Sequence, residues 1–389
     1  MNRIAQTSAS TREWNLLLAA LSVCLRQCNG AGVLRIPQEP VDWNSLLPLA
    51  DRHGVSSLLN RVLAPHKDMV PGVVLNSLHR SHEQNVHQSL FLARELIRIL
   101  DCLDARGIEA IAYKGIVLSE ICYGDLAMRQ SGDIDLFVHA EDAAGIREAV
   151  WDLGFTPRTR IPRNAEVAYL ASGYECTFDS AAGKNLLELQ WALQPRFYAV
   201  DFDMEGLFKR CVNVTVVGRN MKTPSVEDSL IVLSLHAAKH AWEKLIWLCD
   251  IAQIMKRETV NWNKVQSQAR ELGIERILGV TLLLIDRFFA CELPLSMRNA
   301  IAADRSAHIF AEQIASSISR GVSYEPETLP YFRLMMRLRE RPIDRARFLW
   351  RLTFTPGPGE WDVVHLPKPL FPLYRVVRLA RLASRLAQR

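Results

Sequence analysis

The residues best suited to chemistry fall in one short run, Ser131-Gly132-Asp133-Ile134-Asp135-Leu136-Phe137-Val138. Side chains alternate across a strand, so Asp133 and Asp135 share one face while Ile134, Leu136 and Val138 take the other, toward a core. Paired carboxylates repel unless a cation sits between them, and hard oxygen ligands at this spacing suit Mg²⁺ or Mn²⁺ rather than a soft metal. The bland alternative is two solvated acids at a strand end. Glu188, within Leu186-Leu187-Glu188-Leu189-Gln190-Trp191, is a third carboxylate in another apolar strand, where it must face solvent or meet a partner. If the two strands are neighbours, three carboxylates around divalent ions form an arrangement that holds a nucleoside triphosphate, activates an attacking hydroxyl and stabilises pyrophosphate as it leaves.

Other polar groups could serve the same chemistry. In Lys114-Gly115 a glycine lets backbone N–H groups approach a phosphate, and a helix beginning near Ile116 aims its positive end at the same point. A plain left-handed turn is the alternative. Arg129 could grip phosphate oxygens or pair with Asp125. His236, Lys239 and His240 share one side of a helix at i, i+3 and i+4. They could contribute to a zinc site, although the H-E-x-x-H glutamate is missing. They could instead offer Lys239 and one histidine to a triphosphate, or be structural, with Asp250 as a partner for one imidazole.

The elements that would position these residues are mixed. Apolar spacing predicts helices over 12–26, 41–52 (Asp42 as N-cap), 55–63 and 73–106, the last closed by Gly107. A strand at 108–113, a helix at 116–121, the Asp133–Val138 strand and a helix at 141–153 follow. Further strands are expected at 174–178 and 186–191 around the turn Ala181-Ala182-Gly183-Lys184. After Pro224, Ser225 caps a helix over 226–239, and helices continue at 245–256, 262–272 and 276–290. The chain therefore reads as α+β: a small mixed β-sheet core flanked by helices, with N-terminal and C-terminal all-helical regions. The expected boundaries are 1–83 (helical), 84–200 (sheet-bearing core), 201–300 (helices closing the cleft) and 301–389 (Arg-rich helices).

Composition bounds the rest. The 389 residues suffice for two to four compact units, and 49% apolar with 23% charged residues is the make-up of a folded globular chain. Eight scattered cysteines without a C-x-x-C pair argue against a zinc ribbon or a disulfide scaffold and favour reduced thiols in a cytoplasmic protein. The apolar run Leu16–Leu21 is too short and too closely flanked by charge for an export signal or a membrane span. The net charge of +5 is uneven: residues 331–389 carry 13 Arg and Lys against 4 Asp and Glu. A helix over 374–389 sets Arg375, Arg378, Arg381, Arg385 and Arg389 beside Val376, Leu379, Leu382 and Leu386. The expected arrangement docks that apolar stripe on the protein and leaves the arginines in solvent; contact with an anionic membrane or an acidic partner is the alternative. Nucleic acid is not expected, since no aromatic stacking motif accompanies the charge.

Tyr113-Lys114-Gly115, Tyr123-Gly124-Asp125, Arg129 and the Ser131–Val138 block resemble the signature of the uncharacterised bacterial nucleotidyltransferase family, a branch of the DNA polymerase β-like superfamily. Glu188-Leu189-Gln190-Trp191 is similar to the family's E-L-H-W strand. Pro224–His240, Trp247–Ala252 and the Arg-rich tail with Thr355-Pro356 and Glu360-Trp361-Asp362 are also similar to its segments. The resemblance implies that Asp133 and Asp135 bind the catalytic metals and that Glu188 is a metal ligand or the base for the incoming hydroxyl. It also implies that Lys114-Gly115 stands in for the phosphate turn; Ser131 joins Lys114, Gly115, Arg129, His236, Lys239 and His240 among the expected nucleotide contacts. The implied reaction moves a nucleoside monophosphate from an NTP to an unidentified hydroxyl-bearing acceptor (a sugar, a peptide or another small molecule), with Mg²⁺ or Mn²⁺ as cofactor. Gln190 stands where the family usually has His. The competing reading is a non-catalytic nucleotide sensor or scaffold acting through its basic C-terminal helix.

Overall fold

The computed structural model describes residues 11–26, 34–37, 39–159, 169, 173–325, 328–355, 364 and 366–387. Pro356–Gly359, Glu360-Trp361-Asp362 and Cys28 lie outside these, as do the side chains of Arg385, Leu386 and Arg389.

The chain opens with helices α1 (Thr11–Arg26), α2 (Trp43–Arg52), α3 (Ser56–Leu63) and α4 (Gly72–Asp104). The Asp42 carboxylate caps α2 as expected, accepting from the backbone N–H of Asn44 and Ser45. Strand β1 (Ala110–Ala112), helix α5 (Gly115–Tyr123), strand β2 (Ile134–Val138) and helix α6 (Ala143–Asp152) follow, then β3 (Thr156–Pro157), β4 (Glu175–Ser180) and β5 (Gly183–Gln190). These five strands form one sheet in the order β1-β2-β5-β4-β3. β2 and β5 run parallel; the other pairs are antiparallel. The α+β expectation holds: a small mixed sheet among many helices.

Both faces of the sheet are covered. Ile134, Leu136, Val138, Leu187 and Leu189 form a core with Leu92, Leu96 and Ile99 of α4 and Ile146, Ala149 and Val150 of α6. On the opposite face Phe137 stacks on Tyr113, ring centroids 3.8 Å apart, within a larger core shared by α1 to α3 and the later helices. That core joins the first helices to later ones, since Trp14 of α1 packs edge-on against Phe288 of the helix Glu275–Phe289.

A second sheet is a hairpin of β6 (Val212–Val216) and β7 (Arg219–Thr223), which the sequence reading does not anticipate. Its two-residue turn is Val217-Gly218, both with positive φ, and Val217 pays the strain that Asn or Gly would avoid there. Next come the helices Val226–Lys239, capped by Ser225, Leu245–Arg257, Trp262–Leu272 and Glu275–Phe289, close to their expected bounds. Among the described residues the helices Leu295–Ala302, Arg305–Ser319, Leu329–Leu338 and Pro342–Phe354 follow, and then Tyr374–Ala387. The last helix bears out the expected docking only in part: among its described side chains Leu382 packs against the core and Arg375 is exposed as expected, but Arg378 is buried with Tyr374 while Val376 and Leu379 face outward. Among the described cysteines none is in a disulfide, and no described helix is long and apolar enough to cross a membrane.

Candidate active site

Parallel pairing of β2 with β5 sets Asp135 directly opposite Glu188. Asp133, one residue before β2, lies on the same face by alternation. One carboxylate oxygen from each of Asp133, Asp135 and Glu188 lies within 4.8 Å of the others. Burial raises the Glu188 carboxyl to about 8, helped by the negative charge of Asp135 and Glu175. Burial and the neighbouring Asp135 raise Asp133 to about 6. Both shifts are what crowded like charges in a poorly solvated place produce.

The cluster opens into a cavity of about 890 Å³. One wall comes from the sheet and the 129–133 segment. Another is the end of the Val226–Lys239 helix with Lys244 and Trp247, and a third is the polar face of α4 at Ser81, Gln84, Asn85 and Gln88. A family model described as an uncharacterised nucleotidyltransferase matches residues 39–290. The chain belongs to that nucleotidyltransferase family. The crystal structure of an antigenic nucleotidyltransferase-like protein from Paracoccidioides brasiliensis aligns over 57% of this chain and 92% of its own, at 16% identity and a TM-score of 0.31. No curated protein matches the chain.

Around the cavity of this nucleotidyltransferase family member the expected nucleotide contacts divide into two groups. Lys114 and Arg129 are already engaged. The Lys114 ammonium, 8% exposed, lies 2.8 Å from Asp135 Oδ1. Burial alone would lower its pKa, and Asp135 carries it above the ordinary lysine value instead. Arg129 pairs not with Asp125 but with Asp250: Nε donates to Asp250 Oδ2 at 2.8 Å, and Nη1 donates to Ser131 Oγ at 2.8 Å. Asp125 instead accepts from the Ala127 backbone. Asp250, fully buried, takes its second bond from the Tyr123 hydroxyl at 2.9 Å, so it is not a histidine's partner. Gly115, buried with φ +55°, begins α5; a Cβ there would lie 3.2 Å from the Asp133 carbonyl oxygen. Its glycine character lets the turn press against the segment that carries Asp133.

The second group lines the cavity. Lys239 Nζ donates to the Tyr174 hydroxyl at 3.1 Å, and burial lowers the pKa of its ammonium. His236 and His240 stand with ring centroids 4.9 Å apart and each close to Trp247, at 5.0 and 5.3 Å. Burial lowers both imidazoles, then Lys114 for His236 and Lys239 for His240, the latter to about 3, so both are neutral. Among the described residues no third metal-binding side chain joins them.

Several cavity residues escape a sequence reading. Glu175 pairs across β4 and β5 with Gln190, whose amide Nε2 lies 3.4 Å from Glu175 and 3.3 Å from Glu188. Gln190 Oε1 accepts from the Tyr113 hydroxyl at 2.8 Å. The glutamine thus ties two carboxylates of the site to Tyr113, the residue that follows β1. Its signals in the sequence are its place two residues after Glu188, on the same strand face, and its standing where the family usually has His.

Proposed function

We propose that the protein is a metal-dependent nucleotidyltransferase that moves a nucleoside monophosphate from a nucleoside triphosphate to an acceptor hydroxyl with release of pyrophosphate. The observation that carries this reading is the convergence of the Asp133, Asp135 and Glu188 oxygens within 4.8 Å beside a large polar cavity, in a chain of the nucleotidyltransferase family.

The donor set fits a hard divalent ion. Three oxygen donors, two of them driven toward protonation by burial and mutual repulsion, are what a Mg²⁺ or Mn²⁺ ion would relieve. Asp133, Asp135 and Glu188 would hold it, and when bound it supplies neutralisation of the triphosphate and a lowered pKa for the acceptor hydroxyl. The chain's own residues do the positioning. Lys239 and Lys244 offer positive charge on the wall opposite the sheet, and the neutral His236 and His240 each offer one N–H and one lone pair. Lys114 fixes Asp135, and Arg129 fixes the 131–133 segment through Ser131; both are positioning residues. In this reading residues 84–200 form the catalytic unit, 201–300 close over the nucleotide, and 1–83 and 301–389 flank them.

Isothermal titration of the four NTPs with Mg²⁺, paired with a pyrophosphate-release assay over candidate acceptors, tests the proposal. The expected result is Mg²⁺-dependent binding of at least one NTP, lost in Asp133→Asn. That variant is chosen because it leaves the Lys114–Asp135 pair intact. Binding of no NTP, or binding indifferent to Asp133→Asn, overturns it. Binding without pyrophosphate release from any acceptor favours a nucleotide sensor.

A further inference from the structure

The two C-terminal helices send Leu352 and Leu382 against the core and yet leave a second set of apolar residues facing outward. On Pro342–Phe354 the buried positions are Asp344 and Phe348, and the outward positions include Ile343, Ala346, Trp350 and Phe354. Trp350 is 67% exposed and its ring lies 4.5 Å from that of Phe354. On Tyr374–Ala387 the buried positions are Tyr374 and Arg378. Val376, Leu379, Ala380 and Ala383, at steps of three, one and three residues, face outward. The two helices adjoin, because Arg378 Nε donates to the Leu352 carbonyl at 3.2 Å while its guanidinium covers the Phe197 ring at 5.4 Å. An arginine is thus spent inside so that valine and leucine can face out. Eight of the 18 large hydrophobic residues exposed among the described residues fall between Ile343 and Leu379, far more than an even spread would place there.

The exposed charge that these two helices carry is of one sign, although Arg351 is paired with Asp201. Arg345, Arg347 and Arg375 are exposed on them. The only carboxylate on either helix, Asp344, is buried against Arg341. We propose that these two helices dock the protein on an anionic lipid bilayer, with Trp350, Phe354, Val376 and Leu379 entering the headgroup boundary and the arginines pairing with lipid phosphates. Outward apolar side chains with an aromatic pair among them, on adjoining helices that also expose arginines, match acyl chains beneath negative headgroups. The inference stands apart from the transferase reading, since none of these residues lines the cavity.

The test is sedimentation of the full-length protein with vesicles of phosphatidylcholine alone or mixed with phosphatidylglycerol. Pelleting is expected with the anionic vesicles only, and it should fall as salt is raised. The pair Trp350→Glu with Leu379→Glu should abolish it, whereas Val73→Glu with Leu90→Glu on α4 should not. Replacing Arg345, Arg347 and Arg375 together by Gln should weaken partitioning roughly 100-fold, from three charges near an anionic surface. In the wild type, brominated lipid should quench tryptophan fluorescence, and Trp350→Phe should remove much of that quenching, a readout free of any folding defect. No pelleting with anionic vesicles overturns the proposal. So does a dimer, seen by light scattering, that the Trp350/Leu379 substitutions dissociate while vesicles are ignored, because the face would then belong to a second copy of the chain.

Discussion

Glu188→Gln separates the cost of assembling the acidic cluster from its use. Without metal, burial and then Asp135 and Glu175 hold the Glu188 carboxyl at about 8, against an ordinary 4.5. A carboxyl raised in the folded state contributes stability that is complete below its unfolded value and is lost as pH rises through the folded one. The metal-free protein should therefore lose stability between about pH 4.5 and pH 8, and Asp133, raised to about 6, acts in the same direction. At pH 7 the Glu188 term is at most about 3 kcal/mol. Sharing of charge with Asp135 and partial solvation of the site reduce the expected gain from Glu188→Gln to about 1–2 kcal/mol. Thermal melting in EDTA should show the wild type losing stability as pH rises from about 5 to about 8, with the variant flatter and higher at the alkaline end. Mg²⁺ should stabilise the wild type at about pH 8 and the variant much less, by linkage to the folded state. Nucleotidyl transfer by the variant should fall by about three orders of magnitude. A variant that melts at or below the wild type at alkaline pH, with Mg²⁺ indifferent to both, would refute the reasoning. The carboxylates would then be satisfied by the protein's own cations.

Other substitutions report on the supports of the site. Asp135→Asn strands Lys114, whose 2.8 Å partner it removes, and should cost about 3–5 kcal/mol in urea denaturation. Asp133→Asn, which breaks no such pair, should lose transfer without that cost. Gly115→Ala forces an alanine to φ +55° and sets its Cβ 3.2 Å from the Asp133 carbonyl, so it should cost about 1–2 kcal/mol and raise the metal concentration needed for half-maximal activity. His53, 2% exposed, is lowered to about 4 by burial and then by Arg52. A depressed histidine gives stability that is present above 6.5 and lost as pH falls toward 4, at most about 3 kcal/mol. His53→Leu should remove that acid sensitivity in melting curves taken between about pH 4 and pH 7.

Local signals were legible in the sequence wherever a short segment decides its own structure. Asp42 and Ser225 cap their helices because a side-chain oxygen reaches backbone N–H groups two or three residues on, a contact written in the order of residues alone. The D-h-D alternation likewise gives the shared face of Asp133 and Asp135. What it cannot give is that β2 and β5 are parallel neighbours in a register that puts Asp135 opposite Glu188, because that pairing spans some fifty residues and is chosen by packing on α4 and α6. The Arg129–Asp250 pair is longer in range still, and Asp125 was the nearer candidate. The β6–β7 hairpin was hidden by its turn, Val217-Gly218, which lacks an Asn-Gly or Asp-Gly signal, and by strands with few buried positions. The last helix misled for a different reason. Its leucines and arginines follow the same helical period, and nothing local says that Arg378, with Phe197 to stack on and the Leu352 carbonyl to bond, is the side chain that turns inward.

The buried pairs also bear on which cations are left for a triphosphate in the proposed reaction. Lys114 and Arg129 each spend their charge on a carboxylate within 3 Å, in places almost closed to water, where breaking either pair would strand a charge at a cost of several kcal/mol. Neither can turn to a phosphate without that loss. Lys114 takes Oδ1 of Asp135 and leaves the second oxygen to the cluster, so its role is to aim the carboxylate. Lys239 differs in kind. Its partner is a tyrosine hydroxyl, its pKa is lowered by burial, and a tetra-anionic ligand arriving beside it would stabilise the ammonium. Lys244, exposed at the cavity rim near the Trp247 ring, is spent on no carboxylate within ion-pair distance among the described residues. The positive charge available to phosphates therefore lies on the helical wall at Lys239 and Lys244, facing the acidic strands, and the cavity is polarised across the line along which a triphosphate would lie.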